Sequence, residues 1–324
     1  MTAQSDVSPV TTFPDQNGRL MRAALLCGAG LLIAVAAPFA LYPVFLMKVL
    51  CFALFACAFN LLIGFAGLLS FGHAAFFGSA AYVTAHAVKV WGLAPELGIL
   101  LGTAVAAAMG LVFGALAIRR QGIYFAMITL ALSQMVFFLA LQLKFTGGED
   151  GIQGVPRGLL FGAIDLNQPL AMYYTVLAIF VAGFALIWRT VNSPFGQVLK
   201  AIRENEPRAV SLGYRTERYK LLAFVLSAGL AGLAGGTKAI VFQLASLTDV
   251  TWQMSGEVVL MTLLGGMGTL FGPVVGAAIV VTLESYLAST SLPVPVVIGA
   301  IFVVCVLVFR RGIVGELLAR LPRR

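Results

Sequence analysis

The chain has 324 residues, 60% of them apolar and only 10% charged, with a net charge of +8. That content leaves too little polar surface for a water-soluble fold, and apolar runs recur at membrane-spanning length, about 20 residues each. The basic residues are dispersed over loops and tails, which argues against nucleic acid as a partner.

Residues 1–22 are polar and rich in Ser, Thr and Pro, and read as a mobile cytoplasmic tail. The body, 23–309, holds eight apolar runs: Ala24–Met47, Val49–Val88, Leu97–Ile118, Gln121–Leu143, Leu166–Trp188, Leu221–Leu247, Val258–Leu283 and Ser285–Phe309. The first is too long for the core of a cleaved signal and reads as an anchor, ending at Pro38 and Pro43. The second is about twice one span, so it must fold back or cross twice. Residues 310–324 form a basic tail. The fold class is all-α, a polytopic membrane helix bundle of about 8–10 transmembrane helices.

Most Lys and Arg fall in four places: Arg19 and Arg22, Arg119 and Arg120, the segment 189–220, and Arg310, Arg311, Arg320, Arg323 and Arg324. Those regions are therefore cytoplasmic, with both termini inside, and Lys144–Asp165 faces outward. An even number of crossings follows. Ten results if Val49–Val88 contributes two and Leu221–Phe309 four.

Two glycine blocks interrupt the apolar runs. Gly64 to Gly72 reads GFAGLLSFG, and Gly265 to Gly272 reads GGMGTLFG. With one gap they share G-x-x-G-x-L followed by F-G. Glycine-interrupted segments at corresponding places in two halves point to broken or re-entrant helices near 64–80 and 258–272 around a transport path. The alternative is chance combined with close packing through small residues. Candidate path residues are Asn60, Gly67, Ser70, His73, Thr129, Ser133, Gln134, Gly265 and Gly268. Polar groups there are costly in lipid and must face protein or water, and for any single one of them an interhelical hydrogen bond that only holds the bundle together is the better reading. Glu257, Glu284 and Lys238 are charges near or within apolar runs. Glu149 and Asp150 mark a turn-rich outer loop. It lacks calcium-loop spacing and suits either periplasmic docking or a solvated turn.

The segment 189–220 has the pattern of a short helical pair. Asn192 and Ser193 offer capping oxygens and Pro194 suits the first helical position. Val198, Leu199 and Ile202 make a small apolar face. Asn205 and Pro207 restart a second helix, and Gly213 ends it with a left-handed cap. A folded knob on a membrane protein is something another protein can hold.

Other chemistry is missing. No GxxxxGK[ST] loop is present, and the glycines at 265–268 do not give GxGxxG. The four cysteines lie in apolar runs and read as small buried residues. His73 and His86 lack ligand partners at metal spacing, so no metal is expected. No catalytic constellation stands out, which disfavours an enzyme or a scaffold role.

On its motifs the chain resembles a known family. GQVLKAIRENEPRAVSLGY looks like the cytoplasmic EAA-type loop of ABC importer permeases. Three further blocks, at 59–82, 124–156 and 257–278, follow the branched-chain amino acid permeases in the same order, most of all the longer, M-type subunit of the leucine/isoleucine/valine importer. The four blocks and their connecting spans cover most of the chain from Asn60 to Ala278. The loop departs from a strict EAA triplet at Arg203-Glu204-Asn205. The resemblance implies a non-enzymatic permease subunit in a bacterial inner membrane. It implies four partner subunits besides lipid: a homologous second permease subunit, two cytoplasmic ATP-binding subunits and a periplasmic substrate-binding protein. ATP and magnesium would be bound by the ATPases, with no cofactor on this chain. Ala201, Arg203, Glu204 and Gly213 fall on the loop motif, and Val198, Leu199 and Ile202 would insert into a groove on the ATPase. Related permeases serve urea, short amides and aromatic acids. An ion-coupled secondary transporter is the alternative, and it would need intramembrane carboxylates such as Glu257 or Glu284.

Overall fold

A computed structural model describes residues 28, 30–288, 294–308 and 312–320. The mobile tail expected over 1–22 lies outside them, as does most of the C-terminal arginine cluster. The described chain forms two units, one up to Tyr42 and one from Pro43. The first holds a short apolar helix, α1 (Gly30–Phe39), which tightens to a 3₁₀ turn over Ala37–Phe39.

The second unit is a bundle of helices. In chain order they are α2 (Pro43–Asn60, continued by a π-helical turn over Leu61–Ala66), α3 (His73–Lys89), α4 (Pro95–Ala117), α5 (Ile123–Gln142) and α6 (Pro169–Asn192). Then come the short α7 (Pro194–Glu204) and α8 (Glu206–Ser211), followed by α9 (Thr216–Phe242), α10 (Trp252–Gly265), α11 (Gly272–Leu287), α12 (Val294–Val308) and α13 (Ile313–Arg320). Five are long and apolar enough to cross a membrane: Pro43–Ala66, Pro95–Ala117, Ile123–Gln142, Pro169–Asn192 and Thr216–Phe242. The other apolar stretches are shorter helices of 14 to 17 residues. The bundle is thus the all-α membrane architecture that composition predicts.

Two boundaries differ from those the charges suggest. Lys48 and Glu284 divide apolar runs in the sequence, yet each lies inside a helix, α2 and α11. They pair with each other at 3.4 Å. A charge inside a span is tolerable when its partner sits on the neighbouring helix. The true breaks fall at 40–42 and after Leu287.

At the centre, α9 packs on α2, α3 and α4, and α2 also packs on α6, α10 and α11. Small residues allow this. Gly110 of α4 lies against Ala228, Gly232 of α9 against Ala106, and Gly235 against the backbone of Phe77. Close backbone approach of this kind drives helix association where lipid offers no hydrophobic gain. Aromatic rings fill the remaining space, with Phe55 stacked on Phe77 at 4.5 Å and Phe76 edge-on to Phe224 at 5.6 Å. Cys51 and Cys57 are free and buried in this core.

The end of the bundle away from the basic loops is cross-braced. The segment after α5 forms β1 (Ile152–Gln153), which pairs antiparallel with β4 (Leu244–Ala245) just after α9, and β2 (Leu159–Leu160) pairs with β3 (Ile164–Asp165). Lys89 Nζ donates to the Gln153 carbonyl at 2.6 Å, Arg157 to the Val241 carbonyl at 2.8 Å, and His86 stacks on Phe145. Lys238 and Asp249 form a buried ion pair at 2.6 Å. Glu149 and Asp150 sit exposed in a 3₁₀ turn of this segment.

Candidate functional site

The site is at the basic end, where the α7–α8 knob meets the two glycine breaks. The knob forms as its sequence predicts. Ser193 Oγ accepts from the Gly196 N–H at 3.3 Å with Pro194 next to it, and Asn205 Oδ1 accepts from the Arg208 N–H at 3.1 Å. Gly213 closes the pair at φ +87°. Gln121 and Lys220 both bond Glu206, at 2.8 and 2.6 Å, and fasten the knob to the α4–α5 turn and to α9.

The apolar face of α7 turns inward, not outward. Leu199 is 0% and Ile202 3% exposed, and Leu199 joins the central hydrophobic cluster. Val198 is half-buried. For Leu199 and Ile202 this corrects the expectation of entering a groove on a partner. An apolar face one helix wide is satisfied by the bundle it lies on, and it cannot serve two surfaces. The apolar side chains left outward are on α8 and the turn after it: Val210 at 54%, Leu212 at 70% and Tyr214 at 42%. Ala201, Arg203, Glu204 and Gly213 are also exposed.

Both glycine blocks are helix breaks. The π turn of α2 stops at Ala66 and α3 begins at His73, while α10 stops at Gly265 and α11 begins at Gly272. Gly67 and Gly268 occupy the same place in the shared pattern. They carry the same left-handed backbone, φ +73° and +74°, which a side chain would strain. The overlong run Val49–Val88 therefore folds back at 67–72.

The two breaks touch. Asn60 bridges them, its Nδ2 donating to the Thr269 carbonyl at 2.8 Å and its Oδ1 accepting from the Gly268 N–H at 3.0 Å. A methyl on Gly64 would lie 2.7 Å from the Gly268 nitrogen and overlap the Asn60 side chain. From α7, Arg203 donates to the Gly64 carbonyl. Its stem covers Gly67, and its guanidinium sits beside Gly268. Lys200, one turn earlier, lies over the Phe65 ring at 5.7 Å. On the far side of the second break, Gly312, at the start of α13, rests on Gly266. Part of the C-terminal tail is thus a helix seated on this break.

The other polar candidates stitch the first break to its surroundings. Thr129 Oγ1 on α5 accepts from the Phe71 N–H at 3.2 Å, and Ser70 Oγ from the Gly72 N–H at 3.2 Å. His73 Nε2 meets Ser227 Oγ at 2.9 Å, and Ser255 Oγ on α10 accepts from the Ala74 N–H at 3.0 Å. Asn60, Ser70, His73, Thr129 and Ser133, expected from sequence to line a path, are all buried within the chain. They face protein rather than open space. Gln134 is half-buried, Gly265 is buried, and Gly67 and Met267 reach the surface at the tips of the breaks. Ser227 and Ser255 carry side-chain bonds, and Thr269 a backbone one, that the sequence reading missed. They are ordinary polar residues in apolar runs, and their partners lie far away in the chain.

A bundle of spanning helices with paired breaks and a docked basic knob defines a multi-pass membrane permease. The chain belongs to the family of permease components of branched-chain amino acid transport systems, whose model matches residues 43–309. It is 29% identical over 300 residues to the high-affinity branched-chain amino acid transport system permease protein LivM of Salmonella typhimurium, covering 84% of this chain and 70% of the relative. LivM of Escherichia coli is 28% identical over the same shares. The autoinducer 2 import system permease protein LsrC of Salmonella paratyphi B is 30% identical over 177 residues, 51% of this chain and 49% of the relative. No solved structure matches.

Proposed function

We propose that this chain is the transmembrane permease subunit of an ABC importer for branched-chain or related hydrophobic amino acids, forming half of the translocation path. The observation that carries the reading is the α7–α8 knob seated on two paired helix breaks. A surface that a partner can push is thereby joined to the elements that can part. The chain acts without catalysis. ATP and magnesium are bound by two cytoplasmic ATPase subunits, a periplasmic binding protein delivers substrate, and a homologous permease supplies the other half of the path. The membrane is a bacterial inner membrane, with both termini and the knob on the cytoplasmic side and the β-braced end, with Glu149 and Asp150, toward the binding protein. The ATPase is held by Val210, Leu212 and Tyr214, ringed by Arg208, Arg215 and Arg218, in the helix-in-groove manner. The path runs beside the glycine breaks, near Gly67 and Gly268. The preference for leucine-like substrates comes from the LivM likeness, and the LsrC likeness shows that related permeases serve other cargo.

The test is uptake of labelled leucine into proteoliposomes holding this chain with its co-encoded permease, ATPases and binding protein. ATP-dependent uptake that is lost in Leu212→Asp is the expected result. Uptake by this chain alone, driven by an ion gradient and indifferent to ATP, would overturn it in favour of a secondary transporter. Of the two carboxylates that such a transporter would use, Glu284 is engaged by Lys48. ATP hydrolysis stimulated by other acids or amides, with no leucine uptake, would keep the ABC role and change the cargo.

A further inference from the structure

We propose that Arg203 is a positioning residue that latches the knob to the paired breaks, so that the breaks separate only when α7 moves. The inference rests on the reading of the chain as an ABC importer permease.

Arg203 makes three contacts at once. Its stem covers Gly67, its guanidinium donates to the Gly64 carbonyl, and the same group lies beside Gly268. Gly64 is in the last turn of its helix, where carbonyls lack an intrahelical partner. A donor from outside the helix is therefore the natural way to satisfy it. The planar, multi-donor head of arginine can hold that carbonyl and still lie flat on a second backbone, which a lysine ammonium does not reproduce. Gly268 is in turn tied to Asn60, on the same helix as Gly64, one turn back. The result is a closed set: α7 holds the first break, the first break holds the second through Asn60, and Arg203 spans both.

Such a set has two arrangements rather than a continuum. With α7 in place, the Gly64 bond and the cover over Gly67 are both made. If α7 is drawn away, both are lost together, and the breaks are held only by Asn60 and the packing of Gly64 on Gly268. A coupling requires interactions that differ between the two states, and these do. The knob is also where a partner's motion would enter, since its outward apolar side chains are Val210, Leu212 and Tyr214, on α8 and the turn after it. Arg203 thus converts a displacement of the knob into release of the breaks, in the manner of interface shifts that open a site elsewhere.

The test has two arms. The first is amide hydrogen exchange on the full-length chain in nanodiscs, comparing wild type, Arg203→Ala and Arg119→Ala. In Arg203→Ala, peptides covering 61–72 and 264–272 are expected to exchange faster, with α4 and α9 unchanged. In Arg119→Ala they stay as in wild type. Unchanged exchange at both breaks in Arg203→Ala overturns the latch whatever transport does. So does equal acceleration throughout the chain, because that marks general destabilisation. The second arm is the ratio of substrate imported to ATP hydrolysed in the reconstituted complex. That ratio is expected to fall roughly fivefold or more in Arg203→Ala, the lower end of a typical coupling between two sites, while hydrolysis itself continues. Fast-exchanging breaks with an unchanged ratio overturn the coupling role. If the wild-type complex shows no ATP-dependent uptake at all, the importer reading fails, and the exchange arm still decides whether Arg203 holds the breaks.

Discussion

Gly64 has no room for a side chain, and that has a measurable cost attached. A methyl there meets the Gly268 backbone and the Asn60 amide, so Gly64→Ala should destabilise the chain by about 1–3 kcal/mol, as overpacking does. Gly256, in α10, has open space around it. Gly256→Ala should be neutral or stabilising by up to ~1 kcal/mol through helix propensity. Unfolding in mixed micelles compares the two, and equal effects would mean that the breaks are not packed as described. Lys238 and Asp249 offer a second test. Removing one partner strands a buried charge, so Lys238→Met should cost about 3–5 kcal/mol, whereas the double change Lys238→Met with Asp249→Leu should recover much of it. Asp249 also accepts from the Ser246 N–H at 3.3 Å, and a double change no better than the single one would show that it holds that turn more than it balances Lys238. The capping residues were legible at this scale because a cap acts within four residues. The role of Arg203 was not, because its acceptor is 139 positions away. Sequence marked Arg203 as part of the loop motif and Gly64 as part of a glycine block, with nothing to join them.

The elements divide into those that period and composition define and those that packing defines. The spans of α4 and α5 and the helical pair of the knob follow from apolar length and from Ser193, Pro194 and Asn205. Which face of α7 is covered does not follow. A face bearing Val198, Leu199 and Ile202 looks the same in sequence whether it meets its own bundle or another protein. The structure gives it to the bundle, and that reverses the expected result of mutation. Leu199→Ala should destabilise the knob by about 2–5 kcal/mol, the usual cost of a large-to-small core change. Leu212→Asp should leave stability within roughly 0.5 kcal/mol, as a surface change, and abolish co-purification of the ATPase subunit. Pull-down against unfolding on the two variants checks this. Loss of the partner in Leu212→Asp only together with loss of stability would remove Leu212 from the docking surface. Lys48 and Glu284 mislead in a similar way. A charge looks like the end of a span until its partner on the adjacent helix is known.

For the whole molecule, the charge bias and the structure agree on two unlike ends. Breaks, knob and basic turns lie at one, and β-pairing and the exposed Glu149–Asp150 turn lie at the other. Single cysteines should report this in intact cells. Glu149→Cys should react with a membrane-impermeant maleimide added outside, and Ser211→Cys only after the membrane is opened. The reverse pattern would invert the orientation. The repeat between the glycine blocks is the largest feature that sequence could show. Its use, two breaks with matching left-handed glycines joined through Gly64 and Asn60, needed the fold.

The β1–β4 ladder also sets an order of events during synthesis. Ile152 pairs with Ala245, so the ladder cannot close until α6 to α9 have all emerged from the ribosome. At ordinary rates of translation that interval is roughly 5–20 s. Through it the outer segment has been made but has no strand to pair with, and Val155, which bonds to Gln243, waits as well. Ribosome stalling between α6 and α9 would lengthen that window and leave this surface open to proteases and to non-native pairing.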